Sequence, residues 1–162
     1  MSLEIKTVCF TGHREIPHDH AYALPRVLER ELVTLIERGA TVFRAGGAMG
    51  FDTLAALKVL ELRDIYPQIS LELILPCENQ TERWPQVEVR TYEYVLKHAD
   101  RYEFLYPKYI DGCMLERNRR LVKGSDVCVA YCRQNRGGTL YTVTHAMKQG
   151  LEVINLADFL FD

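Results

Sequence analysis

The stretch TVFRAGGAMGFD, residues 41–52, places a β-prone run, a glycine-rich turn and the start of a helix in direct succession. Val42 and Phe43 favour a strand, whereas from Phe51 to Leu62 the apolar side chains recur at the spacing of a helix. A strand joined to a helix by a short turn is the repeating unit of parallel α/β sheets. This stretch therefore predicts an α/β fold.

Patterns of the same kind extend along the chain in both directions. Helices are predicted at residues 24–36, 51–62, 84–98, 111–123 and 139–148. Strands are predicted at residues 7–11, 41–43, 71–75, 102–105, 126–131 and 152–156. Such alternation predicts one Rossmann-like domain over residues 1–162, with three α/β/α layers around a mainly parallel sheet. In that architecture the turns that follow the strands share one edge of the sheet, where ligands bind.

Two prolines and an aspartate mark the expected ends of several elements. Pro76 is expected to end the third strand, and Pro85 to occupy the first turn of the third helix, where its missing N–H costs nothing. Asp111 is expected to cap the fourth helix.

Composition narrows the range of functions. The 162 residues carry a formal net charge of -2, whereas non-specific nucleic-acid binding requires a broad basic surface. The five cysteines are odd in number and irregularly spaced, which favours reduced thiols over a disulfide framework. No run of about 18 apolar residues is present, so we expect no membrane-spanning helix. We therefore expect a cytoplasmic protein whose partner is a small molecule rather than nucleic acid or a membrane.

Two glycine-rich turns precede predicted helices at the same edge of the sheet. The first contains Gly46, Gly47 and Gly50, and the second contains Gly137 and Gly138. Backbone N–H groups in such turns, at the N-terminus of a helix, bind phosphate. Small residues also let a helix and a strand pack closely, which is the alternative interpretation. The spacing matches neither the P-loop nor the GxGxxG pattern.

Polar side chains next to these turns add to the predicted site. Asp52 either accepts a hydrogen bond from a sugar hydroxyl or caps its helix, and Thr139 either donates to phosphate or caps the next helix. After the first strand, Gly12, His13 and Arg14 either contact an anion or form an ordinary tight turn.

Basic residues surround the predicted site although the chain is slightly acidic. Arg44, Arg133 and Arg136, like Arg14, lie near the predicted strand ends, and this local charge favours an anionic ligand.

The predicted fourth helix carries a further polar group, formed by Glu116, Arg117 and Asn118. Runs of this kind are usually solvated charged faces in which neighbouring side chains pair with each other. Asn118, however, has low helix propensity, and its amide can both donate to and accept from a polar ligand. We therefore predict that all three residues contact the ligand.

Other chemically capable residues fit structural roles better. Cys128 and Cys132 are expected to pack in the core rather than to bind zinc, because the sequence has no second pair beside them. His18 and His20 are expected in a solvated loop, so no metal is expected. Trp84 is expected to pack the third helix, with stacking on a base as the alternative.

Taken in order, residues 11–14, 46–52, 116–118 and 137–139 resemble the motifs of the SLOG superfamily and, more narrowly, of its DUF1273 or YpsA-like branch of bacterial proteins. The resemblance covers nearly the whole chain. It implies a Rossmann-like fold that binds a nucleotide or a nucleotide-derived ligand, often as a homo-oligomer.

The resemblance extends to lysine-decarboxylase-like phosphoribohydrolases, which carry Met-x-x-Arg-Lys and Gly-Thr-x-x-Glu segments. Residues 114–118 are similar to the first segment and retain Arg117, but Thr142 stands where the second segment has its glutamate. A threonine cannot stabilise an oxocarbenium-like state as a carboxylate does. DprA, which binds single-stranded DNA, is a more distant relative.

We therefore expect a nucleotide-binding sensor or regulatory protein. The alternative is a nucleotide N-glycosidase in which Asp52 or Glu116 replaces the missing carboxylate.

Overall fold

The computed structural model, which describes residues 4–134 and 136–160, contains a six-stranded parallel sheet in the order β4-β3-β2-β1-β5-β6. The strands are β1 (Thr7–Gly12), β2 (Val42–Ala45), β3 (Ser70–Cys77), β4 (Arg101–Tyr106), β5 (Val127–Tyr131) and β6 (Glu152–Asn155). The predicted α/β fold with a parallel sheet is confirmed.

Helices cover both faces of the sheet. They are α1 (His18–Ala21), α2 (Leu24–Glu37), α3 (Phe51–Arg63), α4 (Gln86–His98), α5 (Cys113–Val122) and α6 (Gly138–Lys148), followed by a 3-10 turn (Leu156–Phe159). Alternate strand residues enter two separate hydrophobic clusters: Phe10 packs with α2 and α3, whereas the adjacent Cys9 packs with α5 and α6. The chain thus has the three predicted layers.

Strand order reverses beside β1. From β1 the chain moves outward through β2 and β3 to β4, and α5 then carries it back to β5 on the other side of β1. The loops after β1 and β5 therefore diverge, and they leave a crevice at the carboxyl edge of the sheet. Open α/β sheets bind ligands at such a switch point.

Three local expectations about element ends were wrong. Strand β3 continues through Pro76, and its pairing with β4 resumes at Cys77, because the φ of proline suits an extended backbone and only one N–H is lost. Pro85 is the extended residue before α4 rather than part of its first turn. The residue before α5 is Gly112 in a left-handed conformation, not Asp111.

The cysteines and histidines have mainly structural positions. All five cysteines are free thiols, and Cys9 lies opposite Cys128 in the pairing of β1 with β5. His20 was expected in a solvated loop, but it is buried on α1, with its Nδ1 2.7 Å from the Tyr131 hydroxyl. Within the described ranges, no helix is long and apolar enough to cross a bilayer.

Candidate phosphate site at the switch point

A pocket of about 240 Å³ opens at the carboxyl edge of β1, where strand order reverses. It gathers the turn after β1, the start of α3, the middle of α5 and the first turn of α6. Its walls are formed by Phe10, Thr11, Gly12, His13, Arg14, Ala48, Asp52, Met114, Leu115, Arg117, Asn118, Gly138 and Thr139. Four of the sequence motifs, far apart in the chain, therefore meet in one place.

The N-terminus of α6 forms one wall of this pocket. Gly137 precedes the helix with a φ of 97°, and no described side chain caps it. The first intrahelical bond of this turn runs from the Tyr141 N–H to the Gly137 carbonyl, so the N–H groups of residues 138–140 precede the helical ladder. Gly138 and Thr139 line the pocket. Free amides at a helix N-terminus attract an anion.

Arg117 places a buried positive charge in the opposite wall. The residue is only 5 % exposed, and burial lowers the pKa of its guanidinium, which nevertheless stays protonated at neutral pH. Its Nη1 donates to the Gly46 carbonyl, and its Nε donates to Asn118 Oδ1 at 2.7 Å. These bonds orient the guanidinium, and they leave the Asn118 NH₂ group in the pocket wall as a donor.

Asp52 contributes a carboxyl group to the same wall. It is 5 % exposed, and its Oδ2 accepts a hydrogen bond from the Ala48 N–H at 3.3 Å. Burial raises the pKa of Asp52, although the charges of Arg117 and Arg14 and the Ala48 bond oppose that rise. The site therefore favours the neutral form of this carboxyl group more than water does.

His13 links the loops after β1 and β5. Its Nε2 accepts a hydrogen bond from the Arg133 N–H at 2.8 Å, so the neutral ring carries its proton on Nδ1. Burial lowers the pKa of His13, and the positive charge of Arg133 lowers it further. The ring also packs edge-on against Tyr131, with the centroids 5.8 Å apart. A neutral imidazole is therefore the expected form beside the pocket.

The three glycines of the turn before α3 do not line the pocket. A Cβ built on Gly46 would lie 2.6 Å from Arg117 Nη1, one on Gly47 would meet Leu75, and one on Gly50 would meet the backbone of Arg14. The Phe51 N–H donates to the His13 carbonyl at 3.1 Å, so one of the first amides of α3 is already satisfied. The geometry of this turn therefore favours the alternative interpretation, in which small residues allow the helix and the strand to pack closely.

Arg44 and Glu116 also lie outside the pocket. Arg44 donates to Glu72 at 3.2 Å and to the Lys123 carbonyl at 2.7 Å, in a separate cleft beside Arg120. Glu116 accepts a hydrogen bond from the Tyr106 hydroxyl at 2.8 Å. Gly137 is exposed next to the pocket rather than in its wall.

Thr142 stands where the related hydrolases have a glutamate, and its hydroxyl is used in a hydrogen bond within α6. Thr142 is 1 % exposed, and its Oγ1 donates to the Gly138 carbonyl at 2.8 Å. In the described part of the chain no group of three or more histidine, cysteine, aspartate or glutamate side chains could hold a metal ion.

Met114, Leu115 and Ala48 line the pocket, although none of them was predicted to contact the ligand. A second cleft, which shares Arg14 and Met114 with the pocket, contains Gln80 and Trp84. Trp84 was expected to pack the third helix or to stack on a base, whereas residues 79–83 have no periodicity or glycine pattern that predicts their position.

A family model described as the YspA SLOG family matches residues 9–157. The chain belongs to the YspA SLOG family. The chain is also similar to a UPF0398 protein of Bacillus cereus (strain ATCC 14579), which is 26% identical over 156 residues, or 90% of this chain and 85% of that protein. The resemblance inferred from the ordered motifs is thus confirmed.

Solved structures place this YspA-family chain in the same fold as DprA. DNA processing protein A of Streptococcus pneumoniae superposes with a TM-score of 0.66 at 19% identity, over 92% of this chain and 49% of that one. The chain thus spans about half the length of that protein. The Helicobacter pylori protein, whose structure is described in terms of its single-stranded DNA binding mode, gives a TM-score of 0.64 at 19% identity, over 96% and 71%.

Proposed function

We propose that this protein binds a nucleotide or nucleotide-derived ligand by its phosphate in the switch-point pocket and that it acts as a sensor or regulator. One observation carries the proposal: the uncapped N-terminus of α6 faces the same small pocket as Arg14 and the buried Arg117. Free amides and two guanidinium groups in one pocket suit a phosphate dianion.

The remaining polar groups suit the rest of such a ligand. The Thr139 hydroxyl lies at the start of α6, next to the proposed phosphate, and the Asn118 amide lies across from it. Asp52 is within the same wall and can accept a hydrogen bond from a ribose hydroxyl. Because its raised pKa favours the neutral form, Asp52 repels an anion less than an ordinary aspartate does.

A nucleotide N-glycosidase is the second candidate, and Asp52 is the observation that favours it. A buried carboxyl group with a raised pKa, next to a binding pocket, is typical of a general acid. In hydrolysis, water would add to C1′ of the ribose, the glycosidic C–N bond would break, and the base would leave with a proton. Glu116 does not favour this reaction, because it is bonded to Tyr106 outside the pocket.

Binding of ribose 5-phosphate and nucleoside 5′-monophosphates tests the first proposal. A ligand present at about 100 times its dissociation constant stabilises the folded state by roughly 2.7 kcal/mol, which a thermal-shift assay detects. We expect Arg14→Ala to weaken binding about tenfold, because it removes one charge-assisted contact. Arg30→Ala, at an exposed position on α2 outside the pocket, is the matched control.

Absence of any stabilisation by these ligands, ADP-ribose or NAD would contradict the proposal. The panel also includes a single-stranded oligonucleotide, because the expectation that nucleic acid is not a partner finds no support in the likeness to the H. pylori protein. If the oligonucleotide binds and the small ligands do not, the partner is nucleic acid.

Release of free base tests the enzyme. Each monophosphate is incubated with the protein, and the base is measured by chromatography. Base release that is lost in Asp52→Asn and kept in Glu116→Gln would establish the N-glycosidase and assign the acid. If the wild type binds a monophosphate but releases no free base, the N-glycosidase is excluded and the role of sensor or regulator is favoured.

A further inference from the structure

A second cleft, of about 640 Å³, lies beside the switch-point pocket. Arg14 and Met114 line both, so the two spaces are adjacent. The cleft is otherwise formed mainly by residues that follow β3, together with Met49 and Tyr109. Its size suits a nucleoside-sized group, whereas the switch-point pocket is suited to something smaller.

Trp84 presents an aromatic ring in a fixed position in this cleft. Its ring packs edge-on against Tyr92 with the centroids 5.5 Å apart and the planes at 86°. Tyr92 is in turn packed against the main hydrophobic core. An indole held in this way offers a rigid flat surface, and so binding a second ring against it costs little conformational entropy.

Gln80 has a polar atom that no described residue satisfies. Its Nε2 lies 3.4 Å from the Tyr92 hydroxyl, while its Oε1 is buried and has no hydrogen-bond partner among residues 4–134 and 136–160. Exchanging the amide nitrogen and oxygen would leave the other atom unpaired. Unpaired buried polar atoms are rare in folded proteins, because leaving one costs stability. Gln80 lines the cleft, and a rotation of its side chain would bring this buried atom to a bound group that supplies the missing partner.

We propose that this cleft is the subsite for the flat heteroaromatic ring of the ligand, with the ring stacked on Trp84 and an edge of the ring bonded to the Gln80 amide. The inference rests on the proposed function, because the ribose phosphate held in the switch-point pocket would direct the ring past Arg14 into the cleft. Ring nitrogens and exocyclic amino groups of nucleobases are the donors and acceptors that such an amide pairs with.

Another cleft, of about 580 Å³, does not share these features. Four of its charged side chains pair with each other, Arg44 with Glu72 and Arg120 with Glu103, and it shares no lining residue with the switch-point pocket. The unpaired amide oxygen of Gln80 and the position next to the proposed phosphate site distinguish the cleft that contains Trp84.

Tryptophan fluorescence tests the inference directly, because Trp84 is the single tryptophan of the chain. The full-length protein is titrated with AMP, GMP, CMP and UMP and, separately, with ribose 5-phosphate. We expect at least one monophosphate to change the emission of Trp84 saturably. We expect ribose 5-phosphate to stabilise the protein in a thermal-shift assay without changing this emission. Free N-acetyltryptophanamide corrects for absorption by the bases.

Two variants separate the ring subsite from a role of Trp84 in folding. By calorimetry we expect Trp84→Ala and Gln80→Leu each to weaken binding of the preferred monophosphate about tenfold and to leave ribose 5-phosphate binding unchanged, whereas Trp84→Phe retains most of the affinity. Tyr102→Ala, an exposed aromatic residue outside the cleft, is the matched control.

The outcomes distinguish the two proposals. If ribose 5-phosphate binds but no monophosphate binds more tightly or changes the emission of Trp84, the ring subsite is wrong and the phosphate site stands. If neither ribose 5-phosphate nor any monophosphate binds, the phosphate site fails and the ring subsite fails with it.

Discussion

The two glycine turns of this chain lie at the same edge of the sheet, yet their surroundings are opposite. The turn at residues 46–50 is filled: each of its glycines faces an atom of Arg117, Leu75 or Arg14 where a side chain would stand. The turn at residues 137–138 is open, with no described atom within 4 Å of a Cβ built on Gly137 and only Asn118 near one on Gly138. One turn therefore holds the protein together, and the other leaves room for a ligand.

This difference shows that glycine-rich turns before helices have two physical causes. A turn can be rich in glycine because the protein's own atoms come too close for a side chain, or because an external group must approach the backbone. The sequence pattern is the same in both cases. The two turns are nevertheless linked, because Arg117 donates to the Gly46 carbonyl from the wall of the pocket that α6 closes.

The largest effect is expected at the closed turn. Gly50 has a φ of 82°, and a Cβ there would meet the backbone of Arg14, which cannot move aside as a flexible side chain could. Gly50→Ala should lower the free energy of unfolding by about 3 kcal/mol, from backbone strain and overpacking together. Gly137→Ala, with a φ of 97° and open space, should lose only about 1 kcal/mol. Urea denaturation of both variants checks this, and equal losses would contradict the comparison.

An added methyl group at the open turn should affect binding rather than folding. In Gly138→Ala the new Cβ would lie 3.8 Å from Asn118 Nδ2, an ordinary contact, so the free energy of unfolding should stay the same or rise by about 0.5 kcal/mol. Ribose 5-phosphate should bind about tenfold more weakly, a loss of roughly 1.4 kcal/mol, because the methyl group takes space next to the helix amides. Calorimetry measures this, with Thr144→Ala, exposed on the same helix, as the control. Unchanged affinity would place the phosphate elsewhere.

A smaller, pH-dependent effect is expected at Asp52, which follows the closed turn and faces the open one. Burial raises its pKa above the ordinary value of 3.8, so the wild type loses stability as the pH rises from that value through the raised pKa. Asp52→Asn does not titrate and avoids this loss. The stability of the variant relative to the wild type should therefore increase with pH across that window and stay constant above it. Urea denaturation at a series of acid to neutral pH values checks the sign.

The smallest effect is expected at His13, which joins the open side of the site through the Arg133 N–H. Its pKa is lowered below 6.5 by burial, so its contribution to stability is present above that pH and is lost as the pH falls through the lowered pKa. His13→Gln keeps an acceptor for the Arg133 N–H and does not titrate, so it should lose less stability than the wild type on acidification. His18→Gln, at an exposed position on α1, is the control and should follow the wild type.

The sheet and its helices were predictable because strand and helix periodicities are local properties of the sequence. The ends at Pro76, Pro85 and Asp111 were not, since each depends on what neighbouring elements supply in three dimensions. In a parallel sheet the turns that follow the strands lie at one edge. It was therefore predictable that residues near 12, 52, 117 and 138 would meet.

The sequence does not show whether a glycine-rich turn is packed against other residues or open to a ligand. Gly47 and Gly138 have similar sequence contexts, and only the distances to Leu75 and Asn118 distinguish the packed turn from the open one. In the same way, Arg44 and Arg14 both lie in or near strand ends, but Arg44 is paired with Glu72 in another cleft. Stacking of Trp84 on a base was only the alternative interpretation, and Gln80 was not considered, because their segment reaches the cleft through the end of β3, a connection that no spacing reveals.

The position of the cleft that contains Trp84, directly beside the switch-point pocket, has a consequence for how such proteins diverge. The two spaces share only Arg14 and Met114, and the cleft draws most of its remaining wall from one surface segment, residues 79–84. If the proposed ring subsite is correct, substitutions in that segment would change which ring is accepted, while the proposed phosphate site, built from four distant parts of the chain, would stay intact. A protein with this plan would then acquire a new ligand without rebuilding its fold.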